Sequence, residues 1–368
     1  MVARGAGDVG CAHCTLIGAD RACPVCTHLV CERCAADWAS CTEPSGRIVR
    51  LGLSARVRDI DPGGGLAIVS HWLRHLRLFD LRRLRWISGA PVRASSGRLT
   101  GDGRVIFAEW TSTGDARQFE GMRVVDLRGA YERLLTAMEA PARGTAVTAT
   151  SDIFYYVTET ERVGILDGDT SYVVDPLPRK VVQAAYLDGE RRLLAAASWS
   201  ELVLGEVVEG AFAPRSHIKT ETAGDVPWLA VAGPRLVAAV KQFGGASRVE
   251  VHRLEHGRTI GAVERALDVD ALRAASLSRD GRYLAIGDGV ELHVHALDTG
   301  ESTTFTEHTD GINLVRFAGD DHLLISAHTD NRVVLRPRTP AGYARPLIAI
   351  DVPGDGVELT ARPGTPAS

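Results

Sequence analysis

The stretch Ala275-Ser-Leu-Ser-Arg-Asp-Gly-Arg-Tyr-Leu-Ala-Ile-Gly-Asp-Gly-Val-Glu-Leu-His-Val-His-Ala-Leu-Asp-Thr-Gly300 decides the fold. Apolar residues alternate with small or polar ones, the period at which side chains of a strand reach opposite faces of a sheet. Asp280-Gly281 supplies a hairpin turn, and a second alternating run follows at Val290, Leu292 and Val294. A further copy begins at His308-Thr-Asp-Gly-Ile-Asn-Leu-Val-Arg-Phe and runs to Leu335. Each copy reads as three short strands, with a fourth before the next copy starts.

Working outward, the ends of the third strands fall at Phe79, Val125, Leu166, Gly205, His252, His295 and Arg336. Consecutive members are separated by 39 to 47 residues, with a mean of about 43, the period of a four-stranded propeller blade. A single blade cannot bury both faces of its twisted sheet. Neighbours stacked around an axis bury them, and closing the ring removes the long free edges. The expected fold class is therefore all-β, a seven-bladed β-propeller over residues 47–352 with a small N-terminal zinc-binding module. Arg47-Ile-Val-Arg-Leu-Gly-Leu53 and Arg345-Pro-Leu-Ile-Ala-Ile-Asp-Val352 compete for the outer strand that closes the ring.

These copies resemble the WD-repeat β-propeller family across nearly all of the chain after residue 46. In the copy from 308, the resemblance places His308, Ser326 and Asp330 where that family has an internal hydrogen-bonded network. Phe79 is the nearest substitute for the signature Trp, and Arg336 occupies its place in the last copy. The acid that follows survives as Asp80, Asp126, Asp167 and Glu206.

All seven cysteines lie between Cys11 and Cys41, in the order Cys11-x2-Cys14-x8-Cys23-x2-Cys26-x4-Cys31-x2-Cys34-x6-Cys41. A Cys-x-x-Cys turn aims two thiolates at one ion, and tetrahedral zinc then requires a second pair from elsewhere. Cys11/Cys14 with Cys31/Cys34 have the spacing of a four-cysteine site. Cys23/Cys26 would take Cys41 and one further ligand, for which His28, His13, Asp37 and Glu43 are candidates. The interleaving resembles the B-box group of cross-brace zinc fingers, with RING and FYVE fingers as more distant relatives. One or two structural Zn2+ ions are expected, supplying folding free energy to a segment too short for its own apolar core. The division is thus 1–46 for the cysteine-rich module and linker, 47–352 for the propeller and 353–368 for a flexible tail.

Composition limits the functional classes. In 368 residues, 42 Lys plus Arg oppose 46 Asp plus Glu, and the net charge of −4 disfavours nucleic acid as a partner. No apolar run approaches a membrane span, and the first residues lack the apolar stretch of a secretory signal, which points to the cytoplasm. The scarcity of Lys beside abundant Arg, Ala, Gly and Val has the look of a GC-rich bacterial genome.

Several tempting motifs have plainer explanations. His71-Trp-Leu-Arg-His-Leu-Arg-Leu-Phe-Asp-Leu-Arg-Arg-Leu-Arg-Trp86 reads as the last two strands of the first blade, with its Arg side chains in water. Asp280-Gly281 and Asp288-Gly289 lack the ligand pattern of a calcium loop and read as turns. His293 and His295 share a strand face at a spacing copper or zinc could use, but an exposed strand pair is the simpler reading. No Gly-x-Ser-x-Gly elbow occurs, and His308, Ser326 and Asp330 fit blade stabilisation better than nucleophilic catalysis.

The expected function is a non-enzymatic scaffold that binds other proteins through its finger and its propeller faces. The architecture is similar to bacterial multi-component systems in which a propeller protein works beside an AAA-type ATPase and a von Willebrand A-domain protein. The alternative is an enzyme, either a zinc-finger ubiquitin-ligase-like protein or a propeller with a site in its central channel.

Overall fold

In the computed structural model, the described residues are Arg21–Ala22, Leu29–Val30 and, with interruptions at several loops, Gly46–Asp351. They hold strands and turns and no helix, so none is long and apolar enough to cross a membrane. Arg21–Ala22 (β1) pairs antiparallel with Leu29–Val30 (β2), and Gly46–Arg50 (β3) follows. The first sheet of the ring contains Arg56–Ile60 (β4), Leu66–Ser70 (β5), His75–Asp80 (β6) and Arg85–Trp86 (β7), with Val92–Arg93 (β8) against β6. The second contains Arg98–Leu99 (β9), Val105–Thr113 (β10), Ala116–Asp126 (β11) and Tyr131–Leu135 (β12). The third contains Thr148–Ala149 (β13), Ile153–Val157 (β14), Val163–Asp167 (β15) and Thr170–Val174 (β16).

The fourth sheet is Gln183–Leu187 (β17), Leu193–Ala197 (β18), Glu201–Val208 (β19) and Ala211–Lys219 (β20). The fifth is Gly224–Ala232 (β21), Arg235–Gln242 (β22), Ser247–Glu255 (β23), Arg258–Thr259 (β24) and Arg265–Val269 (β25). The sixth is Leu272–Leu277 (β26), Tyr283–Asp288 (β27), Glu291–Ala296 (β28) and Ser302–Phe305 (β29). The remaining strands are Ile312–Ala318 (β30), Leu323–His328 (β31), Arg332–Thr339 (β32), Gly342–Tyr343 (β33) and Pro346–Asp351 (β34).

Sheets follow one another around an axis, and β4, β9, β13, β21, β26 and β30 each touch the sheet that precedes or follows. The circuit returns from β30 to β4. This is a β-propeller arrangement, and all seven aligned repeat positions lie in the third strand of their own sheet. Apolar layers between the sheets hold it together. Ala67 and Val69 of β5 join a layer with Ile325 and Leu335, while Ile68 between them faces Leu99 and Val105 of the second sheet. Both faces of β5 are covered, which explains its near-continuous apolar sequence Leu-Ala-Ile-Val.

The expectation of seven blades requires correction: the arrangement has six blades of that kind, and a composite sheet closes the circuit. Six sheets are built from strands consecutive in the chain, whereas the one that closes the circuit is a composite of six strands. In it β3, from the N-terminal side, pairs antiparallel with β32, and β34 pairs parallel with β3. The two segments competing for the outer place are therefore both used. With β3 occupying the position next to β32, the later β34 is displaced one strand outward. The eight candidate zinc ligands, Asp330 and the 353–368 tail lie outside the described residues.

Candidate functional sites: polar networks between the sheets

Ser326 on β31 and His308 just ahead of β30 meet as the repeat pattern requires. His308 Nε2 and Ser326 Oγ are 2.8 Å apart, and both residues are buried. Arg336 on β32 joins them. Its Nη1 donates to Ser326 Oγ at 2.8 Å and its Nη2 to Glu307 Oε2 at 2.8 Å. The guanidinium lies 4.6 Å from the centre of the Phe305 ring, so it fills a flat slot between two sheets much as an aromatic would. Burial holds the Arg336 pKa down to about 10 while Glu307 opposes the shift, leaving the group charged at neutral pH. Ser326 is wholly enclosed and accepts a hydrogen bond from the guanidinium, so this constellation ties the strands together.

A second network fastens the fifth and sixth sheets and was not foreseen from the sequence. Arg235, with only 5% of its side chain exposed, grips Glu264 with two nitrogens and reaches Asp298 Oδ1 at 2.8 Å and the Gly281 carbonyl at 2.8 Å. Arg282 donates to the other oxygen of Asp298 at 2.9 Å. Hydrogen bonds from Arg235 and Arg282 hold the Asp298 carboxyl below the usual carboxylate range. The chains at this junction come so close that a Cβ on Gly233 would stand 2.3 Å from the Asp280 carbonyl oxygen. The Asp280-Gly281 signal was read as a turn, which it is: Asp280 Oδ1 accepts from Ser278 Oγ and Arg282 N. Asp288 likewise accepts from the Ala271 amide at 2.7 Å.

Asp59 forms a third node. Its buried carboxylate accepts the Leu99 amide at 2.8 Å and Arg316 Nη2 at 3.1 Å, joining β4, β9 and β30. Nothing in its sequence neighbourhood marks it out, because both partners are distant in the chain. In the fifth sheet, Glu250 Oε2 lies 3.5 Å from His252 Nε2, with both side chains almost wholly enclosed.

The rings of His293 and His295 stack with centroids 6.4 Å apart. His293 spends Nδ1 on Thr304 Oγ1 at 3.0 Å and has Nε2 3.4 Å from Glu291. Burial, then the neighbouring His293 and Arg265, lower the His295 pKa to about 4. The pair is partly buried, not exposed as expected, with the ring planes 28° apart. Among the described residues no group of three His, Cys, Asp or Glu side chains is placed to hold a metal. In the 71–86 stretch, β6 and β7 form as expected, but Arg77 lies 5.4 Å over the Trp86 ring instead of pointing into water.

Near the N-terminus, β1 and β2 join the two ends of the stretch 23–28, which carries Cys23, Cys26 and His28. No family model matches the chain, and none of the curated proteins matches it either.

Proposed function

We propose that the chain is a non-enzymatic protein-interaction scaffold, a WD-repeat-like propeller carrying a zinc-stabilised N-terminal module and working within a multi-component complex. One observation carries this reading. Among the described residues, strands β10 and β11 run past the rest of their sheet: β9 pairs with Val105 and Ile106, and β12 with Met122–Asp126. Beyond those pairs, Glu109–Thr113 and Ala116–Gly121 pair with each other, with no third strand among the described residues. Trp110 stands opposite Phe119 in that ribbon, next to a register shift at Glu109/Trp110. A two-stranded ribbon on its own is marginal in water, and seating it against another protein surface would stabilise it.

The test is affinity capture with mass spectrometry on the full chain and on the Trp110→Ala/Phe119→Ala variant. A scaffold retains a defined set of proteins that the ribbon variant loses. Equal recovery by both, or recovery of none beside turnover of a small substrate, overturns the reading. Elemental analysis tests the module separately. One or two zinc ions per chain are expected, fewer in Cys11→Ser or Cys31→Ser, and a metal-free wild type removes the module from the proposal.

A further inference from the structure

Three arginines gather where β4 meets β9 at the inner edge of the ring. Arg56 and Arg58 belong to β4, and Arg98 to β9. The register of β4 against β5 passes from Val57/Val69 to Asp59/Ile68, so Arg58 is the extra residue of a bulge. Bulges re-aim a side chain, and here Arg58 Nε is steered onto Ser70 Oγ at 2.6 Å. Arg98 is held over the same bulge, with Nη1 donating to the Arg58 carbonyl at 3.2 Å. Ser70 is itself buried, so the bulged side chain is anchored at its Nε and not at its outer nitrogens.

No carboxylate among the described residues pairs with these three side chains. The adjacent acid, Asp59, is already committed to Arg316 and the Leu99 amide. The crowding registers on Arg58, whose pKa is lowered by burial and then by the charges of Arg56 and Arg98. With Arg58 fixed on a buried serine and Arg98 on the Arg58 carbonyl, two guanidiniums are kept close to each other and to the Arg56 charge, which favours an accompanying anion. The forked donors of arginine match the oxygen geometry of a phosphate group.

We propose that Arg56, Arg58 and Arg98 form an oxyanion site on the inner edge of the propeller that takes a phosphate dianion, free or borne on a larger molecule. The site is independent of the scaffold reading.

Isothermal titration of the full chain with inorganic orthophosphate, pyrophosphate and a phosphoserine peptide tests it. At least one of the three is expected to bind saturably at one site per chain. Losing one charge-assisted contact weakens binding roughly tenfold or more, so Arg58→Gln and Arg98→Gln are each expected to do so. Arg56→Gln changes an exposed side chain that carries no fastening contact, so it keeps the test valid if the other two variants misfold. It is expected to weaken binding severalfold. Arg273→Gln, an exposed arginine on β26, should leave affinity unchanged. Tighter binding of the peptide than of orthophosphate assigns the phosphate to a protein partner, and the reverse order assigns it to a free anion. Absence of saturable binding by all three probes, or equal affinity in wild type and the Arg56, Arg58 and Arg98 variants, overturns the site.

Discussion

Replacing Asp59 by Ala should cost about 2–4 kcal/mol of folding stability, and the structure says where that cost arises. The carboxylate is buried and accepts one backbone amide from the second sheet and one guanidinium from the composite sheet. Leu99 is fully enclosed, so its amide would be left without a partner, at a cost of about 1–3 kcal/mol. Arg316 keeps 22% of its side chain exposed, so its stranded charge rehydrates and adds about 0.5–1 kcal/mol. Asp59→Asn retains an oxygen for Leu99 and loses mainly the ion pair, which predicts a cost of about 1 kcal/mol. Urea unfolding followed by far-ultraviolet circular dichroism measures both, with a double-mutant cycle against Arg316→Met isolating the pair. An unchanged m-value with Asp59→Ala within about 0.5 kcal/mol of wild type would refute the view that this carboxylate fastens the ring.

Three further outcomes follow from the other junctions. Arg336→Ala strands Glu307 and Ser326 and empties the slot beside Phe305, for a loss of about 3 kcal/mol in chemical denaturation; Arg336→Met with Glu307→Gln should recover most of it. Gly233→Ala forces a Cβ onto the Asp280 carbonyl at a positive φ of 51° and should cost about 2–3 kcal/mol in thermal melts. Gly289→Ala has a similar φ of 59° but open space, so about 1 kcal/mol is expected, and equal costs would show that the contact is immaterial. The pKa of His295 is lowered from 6.5 to about 4, so the unfolded chain binds the proton more readily between those values. Stability therefore falls as pH drops through that window, and His295→Gln should flatten the decline; an unchanged pH profile refutes the assignment.

The period was legible because it is imposed by backbone geometry. Each sheet of the circuit, the composite one included, has a third strand, and Phe79, Val125, Leu166, Gly205, His252, His295 and Arg336 all lie in one despite sharing no side-chain chemistry. Turns were legible for the same reason, since Asp280-Gly281 needs a positive φ that Gly281 adopts at 72°. The composite sheet was legible only to the point of two rival strands. Both Ile48-Val49 and Leu347-Ile348 have strand character, and nothing local says that one would lie beside β32 and the other beside its rival. The polar fasteners were the least legible. Asp59 meets Arg316 across 257 positions, and Arg235 meets Asp298 across 63, separations at which a single sequence carries no pairing signal.

Those fasteners differ from one junction of the ring to the next. Closing the ring demands that every interface between sheets be buried, but not that each be buried by the same residues. The junction of the first sheet with its two neighbours uses a shared carboxylate at Asp59. That of the fifth and sixth uses the Arg235 grip, and that of the sixth and the composite sheet uses a guanidinium against Phe305. The face of the fifth sheet carrying Glu250 and His252 also carries Leu236 and Ala238 opposite them, which belong to the apolar layer shared with the fourth sheet. Each solution is local to its junction. In the composite sheet a flat guanidinium with its own counter-ion, Arg336 with Glu307, fills the slot beside Phe305.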